Sequence, residues 1–339
     1  MTPWLQAADT PLASTHDVAL LDLDGTLYVG ADAVPGAAGL LAAARSAGLR
    51  VAYVTNNASS TPRDVAGRLA SLGFPAAPDD VTTSAQAAAR VLADRLPTGS
   101  RVLAVGGPGL TEALAAVGLT PVGTAAEQPA AVVQGWYPDL SWRLLAEGAY
   151  ALAAGLPWVA TNTDLTLPTP GGTAPGNGSF VALLAGVVGR RPDAVAGKPG
   201  PDVLLQSASR TGAVRPLVVG DRLDTDIQGA HAAGLPSLLV LTGVSSRADL
   251  LAARPEHRPT FVASDLRGLL EPHRRPEPAA DGGWQCAGWR ASIGADGLLQ
   301  LTGSGRPDDG LRASCAAAWT AADRGVRVEP ADLTVTDQG

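Results

Sequence analysis

Short apolar runs alternate with longer Ala- and Leu-rich segments along most of the chain. The runs Val18–Asp22 and Arg50–Val54 predict strands that are buried on both faces. Between them, Ala37–Ala47 predicts a helix that ends at Gly48, and Thr61-Pro62 predicts the start of the next helix. This order of strand, helix, strand and helix predicts an α/β fold with a parallel sheet.

The alternation continues through residues 82–194 and resumes after them. Within that range the pattern predicts strands at Val102–Val105, Ala131–Gln134 and Trp158–Thr161, and helices at Leu110–Ala116, Trp142–Ala154 and Gly178–Val188. Beyond it, strands are predicted at Leu217–Val219, Ser237–Leu241 and Phe261–Val262, with a helix at Asp265–Leu270.

Residues 271–283 contain three prolines, two adjacent arginines and a glycine pair, so they predict a linker. The remaining residues, 284–339, are too few for a large independent core. In this module the pattern predicts strands near Trp284–Ile293 and Leu298–Gly303, a helix at Gly310–Asp323, and a last strand near Val326–Val328 or Leu333–Val335.

Composition narrows the class of protein. The chain has 339 residues, of which 46% are hydrophobic, which is enough for two domains or more. A net charge of −7, with no basic run among aromatic residues, argues against nucleic acid as a partner. No Lys or Arg precedes Arg45, and no apolar stretch approaches the ~18 residues that span a bilayer. We therefore expect a cytoplasmic protein that does not bind membranes.

The cysteines and histidines match no functional motif. Cys286 and Cys315 are the only cysteines, and two widely spaced thiols without a histidine cluster make neither a disulfide framework nor a zinc site. We expect buried free thiols. Surface or core positions are expected for the four histidines, His16, His231, His257 and His273.

Polar side chains end or follow four of the predicted strands. These clusters are Asp22 with Asp24, Thr55-Asn56-Asn57, Lys198, and the acidic segment Asp221–Asp226. Ligands of open parallel sheets bind beyond the carboxyl ends of the strands, so we expect the clusters to converge on one crevice.

The residue types in these clusters point to a metal and an anion. Asp22 and Asp24 lie on the same face of an extended strand, where two carboxylates repel each other unless a cation lies between them. Lys198 is the only lysine among 25 basic residues, and a compact ammonium fits beside an anion where a planar guanidinium does not.

Simpler interpretations exist for each cluster. The single lysine could be chance, since a composition biased toward arginine still leaves a few lysines behind. Asp22–Thr26 could form an ordinary polar turn, and Thr55 could cap the following helix. The segment Asp221–Asp226 could complement a helix dipole.

The four clusters, in this order, resemble the haloacid dehalogenase superfamily, and in particular its para-nitrophenyl-phosphatase-like subfamily with a large α/β cap domain. The matching segments are Asp22–Tyr28, Val54–Asn57, Gly197–Pro199, Val219–Asp221 with Thr225–Ile227, and, in the cap, Ala160–Asp164 with Pro175–Ser179.

The resemblance implies a domain arrangement. Residues 1–81 and 195–270 would form a Rossmann-like catalytic core, residues 82–194 an inserted cap, and residues 271–283 a linker. Residues 284–339 lie outside this resemblance; we expect them to form a small C-terminal α+β module, whose predicted order of strand, strand and helix resembles part of an acetyltransferase fold.

The implied activity is Mg²⁺-dependent hydrolysis of a small phosphomonoester. Asp22 would be the nucleophile that forms an aspartyl-phosphate, and Asp24 the general acid and base. Thr55 and Lys198 complete the catalytic set. The metal ligands would be Asp22, the backbone carbonyl of Asp24, Asp221 and Asp226, the last directly or through water.

Substrate recognition is expected from residues near the phosphate and from the cap. The candidate substrate-binding residues are Asn56, Asn57, Asn162 and Asp164. The segment Leu165–Gly172 occupies the place of the family's substrate-specificity loop and contains no His, Arg or aromatic residue. This favours glycerol phosphate or phosphoglycolate over pyridoxal phosphate.

Three alternatives are open. A dehalogenase would not need Asp24 or Asp226, which counts against it. A phosphotransferase would use the same machinery as a phosphatase. The C-terminal module could bind an acyl-CoA or a regulatory ligand, or support a homodimer.

Overall fold

The structure is a computed structural model that describes residues 4–169, 171–280, 282–294, 296–326 and 328. The strands are β1 (Val18–Leu21), β2 (Tyr28–Val29), β3 (Asp32–Ala33), β4 (Arg50–Thr55), β5 (Val81–Thr83), β6 (Arg101–Val105), β7 (Thr120–Val122), β8 (Ala131–Gln134), β9 (Trp158–Ala160), β10 (Thr166–Thr169), β11 (Gly172–Pro175), β12 (Ala194–Val195), β13 (Pro216–Gly220), β14 (Ser237–Val240), β15 (Phe261–Ala263), β16 (Glu277–Pro278), β17 (Trp284–Cys286), β18 (Trp289–Ile293) and β19 (Leu299–Gly303).

The α-helices are α1 (Leu12–Thr15), α2 (Ala37–Ser46), α3 (Pro62–Ser71), α4 (Ser84–Ala93), α5 (Pro108–Ala116), α6 (Trp142–Ala153), α7 (Asn177–Val188), α8 (Asp202–Thr211), α9 (Gln228–Ala233), α10 (Arg247–Leu251) and α11 (Pro307–Asp323). Local capping explains several of the helix starts. At α3, the Thr61 hydroxyl accepts a hydrogen bond from the Asp64 backbone N–H, and the Asp64 carboxylate accepts one from the Thr61 N–H.

The chain divides into two compact units. The first comprises Met1–Val29, Ala33–Val51 and Ala213–Gly339, and the second comprises Gly30–Asp32 and Ala52–Gly212.

The first unit contains a parallel sheet and a separate antiparallel sheet. In the parallel sheet, β15, β14, β13 and β1 lie side by side in that order. All four residues of β1 are buried, as its apolar run predicts. In the antiparallel sheet the order is β16, β17, β18 and β19, and α11 packs against it.

In the second unit, β5 pairs in parallel with the end of β4. A second parallel sheet has the strand order β12, β9, β8, β6 and β7. Its core includes residues of α6 and α7. Strands β10 and β11 form an antiparallel hairpin. The predicted fold class is confirmed: an α/β protein with a Rossmann-like parallel core, an inserted α/β cap and a small C-terminal α+β module.

The C-terminal module shares one hydrophobic core with the rest of the first unit. Side chains of β14, β15 and α10 lie in the same buried cluster as side chains of β18, β19 and α11, and the members from the two parts include Leu239, Leu250, Val262, Ala291, Leu301 and Trp319. The module therefore does not carry a core of its own.

The structure differs from the sequence-based expectations at several places. The predicted linker, residues 271–283, contains β16 and the buried His273, whose backbone N–H and carbonyl both bond to Ala8. Strand β5 spans the predicted boundary between residues 81 and 82, while the domain boundaries themselves stay a prediction. The pattern did not predict β5, α4 or α8, and the expected last strand falls largely outside the described residues.

Among the described residues, no helix is both long enough and apolar enough to cross a membrane. The cytoplasmic location and the homodimer stay predictions.

Candidate active site

Three carboxylates meet at the carboxyl ends of two neighbouring strands of the first unit. Asp22 follows β1 and Asp221 follows β13, while Asp226 lies in a π-helical turn, Leu223–Ile227, just beyond β13. One carboxylate oxygen from each of the three lies within 4.8 Å of the other two. Asp221 and Asp226 are fully buried. Three carboxylates at this spacing repel one another unless a cation is bound, and hard oxygen ligands suit Mg²⁺.

Asp24 belongs to the same loop but not to this carboxylate cluster. Its side chain is exposed, and the Tyr28 hydroxyl donates to its Oδ2 at 3.5 Å. Because the metal contact expected of Asp24 involves the backbone carbonyl, that contact stays a prediction.

Gly25 allows the loop after β1 to pass close to Asp221. Its φ is +85°, in the left-handed region that favours glycine. A Cβ at this position would lie 2.5 Å from the Asp221 Cγ. A side chain here would therefore displace the carboxylate.

The loop after β14, residues 242–245, holds Asp221 and was not predicted from the sequence. The Val244 N–H donates to Asp221 Oδ2 at 2.6 Å, and the Ser245 N–H donates to the Asp221 carbonyl at 3.2 Å. The Thr242 hydroxyl donates to the Gly25 carbonyl at 2.6 Å. The signal was available, because Thr242 follows a predicted strand as Asp22 and Asp221 do.

Asp224 and Asp226 both lie in the π-helical turn, but their side chains have different partners. The Arg222 N–H donates to Asp226 Oδ2 at 3.1 Å. The Arg222 guanidinium instead pairs with Asp224, whose side chain is 59% exposed. Partial burial is the largest single influence on the pKa of Asp224 and raises it, but the hydrogen bond and the positive charge of Arg222, with smaller contributions, together hold this pKa below its ordinary value. Asp224 thus lies outside the carboxylate cluster.

A second polar set lies in the second unit, around the end of β4. Thr55, the last residue of β4, is 4% exposed, and its hydroxyl accepts a hydrogen bond from the Asn57 N–H at 3.1 Å. Lys198 is 2% exposed, and its Nζ lies 3.4 Å from the Val54 carbonyl. The only lysine of the chain is therefore buried next to the strand that ends at Thr55.

Asn56 connects this lysine to the segment Asn162–Asp164, and both partners lie more than a hundred residues from Asn56 in the chain. Its Nδ2 donates to the Lys198 carbonyl at 2.9 Å and to Asp164 Oδ2 at 3.0 Å. Its Oδ1 accepts a hydrogen bond from the Lys198 N–H at 2.8 Å. Asn162 Nδ2 donates to the Asn56 carbonyl at 2.7 Å, and the Asp164 N–H donates to Asn162 Oδ1 at 3.2 Å.

Asn57 makes different contacts from Asn56. Its Oδ1 accepts hydrogen bonds from the Ser59 N–H at 2.8 Å, from the Ser59 hydroxyl at 2.9 Å and from the Ser60 N–H at 3.2 Å. This pattern is that of an Asx turn, so the Asn57 side chain shapes the loop before α3.

The segment Leu165–Gly172, of which the structure describes all residues but Pro170, contains Leu165, strand β10 and the first residue of β11. Leu165 is 64% exposed. The hairpin follows directly on the Asn162–Asp164 segment that bonds to Asn56.

The structure thus groups the predicted residues in two sets. Asp22, Asp221 and Asp226 lie together in the first unit, and Asn56, Asn162, Asp164 and Lys198 are linked in the second. The roles assigned to these residues stay predictions. The cysteines are free and buried, as expected, and burial raises the pKa of Cys286 to about 12.

Family models match most of the chain. The model described as haloacid dehalogenase-like hydrolase matches residues 19–120, and the model described as HAD-hydrolase-like matches residues 195–269. A model described as GCN5-related N-acetyltransferase like domain matches residues 286–338.

Several known phosphatases are similar to the chain over most of their length. D-glycerol 3-phosphate phosphatase from Mycobacterium tuberculosis is 46% identical, and the alignment covers 96% of this chain and 92% of the relative. A crystal structure of glycerol phosphate phosphatase from the same organism in complex with magnesium superposes with a TM-score of 0.85 at 44% identity, covering 98% and 96% of the two chains. A 4-nitrophenylphosphatase from Thermotoga maritima superposes with a TM-score of 0.70 at 32% identity, covering 76% and 98%.

Proposed function

The chain belongs to the haloacid dehalogenase-like hydrolases, and from this premise we propose that it hydrolyses a small phosphomonoester through an aspartyl-phosphate intermediate, with glycerol phosphate favoured. The observation that carries the proposal is the cluster formed by Asp22, Asp221 and Asp226.

The predicted enzyme class and cofactor are confirmed by the relatives. They are named phosphatases, and a similar phosphatase was crystallised with magnesium. The enzyme is therefore a phosphoric monoester hydrolase whose cofactor is Mg²⁺. The cluster fits this ion, since it offers three hard carboxylate oxygens within 4.8 Å of one another. In the proposal Asp22, Asp221, Asp226 and the Asp24 carbonyl hold Mg²⁺, which neutralises charge on the phosphoryl oxygens.

Asp22 and Asp24 carry the covalent steps of the proposal. An Asp22 carboxylate oxygen attacks phosphorus, the bond from phosphorus to the ester oxygen breaks, and Asp24 gives its proton to the departing alkoxide. Water then attacks the phosphorus of the aspartyl-phosphate, Asp24 takes a proton from that water, and the bond to Asp22 breaks to release phosphate.

The second set supplies charge and hydrogen-bond donors for the phosphoryl group. We assign Lys198 to the negative charge that the phosphate and Asp22 share, and the Thr55 hydroxyl to a phosphoryl oxygen. Asn56 is proposed to contact the phosphate through its backbone N–H, since its side chain bonds within the protein. Asn57 is proposed to act through Thr55, because its backbone N–H bonds to the Thr55 hydroxyl and its side chain bonds to Ser59.

The Asn162–Asp164 segment and the hairpin after it are proposed to contact the alcohol part of the substrate. The hairpin segment Leu165–Gly172 offers neither a cation nor an aromatic ring. A small polyol phosphate or acid phosphate suits such a segment better than a planar cofactor or a base. The name of the mycobacterial relative supports glycerol 3-phosphate, and phosphoglycolate is the second candidate.

A panel of phosphomonoesters at fixed Mg²⁺ tests the substrate. The panel comprises glycerol 3-phosphate, phosphoglycolate, pyridoxal phosphate and a nucleoside monophosphate, and the readout is kcat/KM. We expect the highest value for glycerol 3-phosphate. A highest value for pyridoxal phosphate or the nucleotide would contradict the proposal.

The acetyltransferase-like match favours a second candidate role for the C-terminal module, the binding of an acyl-CoA. Protection of the whole protein against thermal unfolding by acetyl-CoA, but not by CoA-free acetate, would support this role. An unchanged melting temperature at saturating acetyl-CoA would exclude it.

A further inference from the structure

The Asn56 side chain uses both of its N–H groups within the protein. A side-chain amide has two N–H donors and one carbonyl oxygen. In Asn56 one N–H bonds to Asp164 and the other to the Lys198 carbonyl, while the oxygen accepts from the Lys198 N–H. The amide therefore has no N–H group left for a phosphoryl oxygen. Its side chain instead links Asp164 to the backbone of Lys198.

The contact between Asn56 and Lys198 is a reciprocal pair. The same amide donates to the backbone carbonyl of Lys198 and accepts from its backbone N–H. A Cβ at Gly197 would lie 2.7 Å from Asn56 Oδ1, so the close approach of this backbone to the amide requires glycine there. Two hydrogen bonds to one residue fix both the position and the direction of its backbone.

The contacts on the other side of Asn56 form a closed ring. Asn56 donates to Asp164, Asp164 donates to Asn162, and Asn162 donates back to the Asn56 carbonyl. The Ser84 hydroxyl donates to the same carbonyl at 2.6 Å. The bond to Asp164 has a carboxylate oxygen as its acceptor, at 3.0 Å.

From these contacts we propose that Asn56 is a positioning residue that fixes the backbone of Lys198 and ties it to the Asn162–Asp164 segment. The inference rests on the proposed function, in which Lys198 neutralises the phosphate. The ammonium lies at the end of a flexible four-carbon stem, so its place depends on where its backbone is anchored. Asn56 thereby couples the phosphate-binding cation to the segment that precedes the β10–β11 hairpin.

Because Lys198 is the only lysine of the chain, its surroundings can be followed directly by NMR. Labelling with ¹⁵N-lysine produces one backbone amide signal and one Nζ signal, both from Lys198. We expect Asn56→Ala to move both signals, to weaken the binding of inorganic phosphate, and to lower kcat/KM about 10- to 100-fold, as loss of such supporting partners commonly does. Ser59→Ala is the control, because it removes a hydrogen bond from the same loop without touching Lys198.

Asn56→Asp distinguishes the contribution of the amide oxygen from that of the two N–H donors. It keeps an acceptor for the Lys198 N–H but loses both donors and faces Asp164 with a second carboxylate. We expect the lysine amide signal to stay closer to its original position than in Asn56→Ala, while kcat/KM still falls. If Asn56→Ala does not fold, Asn162→Ala opens the ring instead and should move the lysine signals in the same direction by less.

Lysine signals at their original positions in Asn56→Ala, together with unchanged kcat/KM, would overturn the proposal. A Lys198→Met enzyme with full turnover would instead overturn the proposed function, in which Lys198 neutralises the phosphate. The two tests are independent, because the lysine signals report the link to Asn56 without reference to activity.

Discussion

At the scale of single residues, two glycines allow the buried carboxylate of Asp221, a proposed metal ligand, to be enclosed by backbone. A Cβ at Gly243 would lie 2.6 Å from the Asp221 Cγ and 2.6 Å from the Gly25 Cα. The Gly25 Cα belongs to the backbone and the Asp221 carboxylate is held by hydrogen bonds, so neither atom can move without loss of stabilising contacts. Asp221 is thus held between the loop after β1 and the loop after β14, and the Val244 N–H fixes its Oδ2.

Gly243→Ala should weaken Mg²⁺ binding about 10- to 100-fold, because the added methyl group displaces a ligand from its supporting contacts. Isothermal titration of the metal measures this without relying on turnover. Val244→Ala is the matched control, since it shortens a side chain that is 66% exposed and keeps the N–H that bonds to Asp221. Equal Mg²⁺ affinity in Gly243→Ala and the wild type would refute this account of the loop.

The residues that could be predicted from the sequence were those whose type and place carry a local signal. Asp22 and Asp221 were predicted because acidic residues after strands indicate a site, and Asp226 was predicted from the motif that the segment resembles; the structure places the three carboxylates together. Gly243 was not found, since its role depends on a close approach to Gly25, more than two hundred residues away. The use of Asn56 as a link to Lys198 had no local signal either.

At the scale of elements, a buried polar network fixes α11 against the parallel sheet. Arg312, on α11, is 2% exposed, and it donates to the Val262 carbonyl at 2.9 Å and pairs with Asp309. It also lies 3.1 Å from Nδ1 of His273, whose Nε2 lies 2.7 Å from the Gly268 carbonyl. These partners assign the neutral tautomer with the proton on Nε2.

This network predicts a loss of stability in acid. Burial, and then the nearby Arg312, lower the pKa of His273 from 6.5 to about 4; Asp308 opposes this shift and Arg306 adds to it. Between these two pH values the unfolded chain binds a proton that the folded chain does not, so the free energy of unfolding falls as the pH falls. The full contribution is on the order of 3 kcal/mol, at about 1.4 kcal/mol per pKa unit.

Urea unfolding at several pH values between 4 and 6.5 checks this prediction. His273→Gln keeps an N–H donor but does not titrate, so its stability should depend less steeply on pH over this window. An identical pH dependence in both proteins would show that His273 does not contribute.

Elements marked by a capping residue or by an apolar run were predicted closely, and elements without such a local sequence pattern were missed. The start of α3 was predicted from Thr61-Pro62, where the structure places the N-cap and the first helical residue, and β8 was predicted at its observed bounds. Strand β16 lies in a proline-rich segment that reads as a linker. It forms because Glu277 and Pro278 pair with β17, a contact that sequence periodicity does not show.

At the scale of the whole molecule, the C-terminal module is part of the first unit rather than an appendage. The Trp319 indole donates to the Leu250 carbonyl at 2.9 Å, and Arg258 forms two hydrogen bonds with Asp323. Both contacts join α11 to the segment that follows β14. The sequence predicted a small module but not this shared core, because its apolar positions do not reveal which partner covers them.

Removal of residues 284–339 should therefore expose a large apolar surface and destabilise the parallel sheet of the first unit. We expect the shortened protein to aggregate, or to unfold at a clearly lower temperature than the full chain, as measured by circular dichroism. A soluble, shortened protein with the melting temperature of the full chain would contradict the shared core.

The central claim is that the carboxylate cluster makes the chain a Mg²⁺-dependent phosphatase with Asp22 as its nucleophile. The most direct test measures phosphate release from glycerol 3-phosphate by the wild type and by Asp22→Asn, each with Mg²⁺ and with EDTA. The account predicts turnover only by the wild type with Mg²⁺, and a loss of several orders of magnitude in Asp22→Asn. Equal turnover by both proteins, or turnover by the wild type that persists in EDTA, would contradict it.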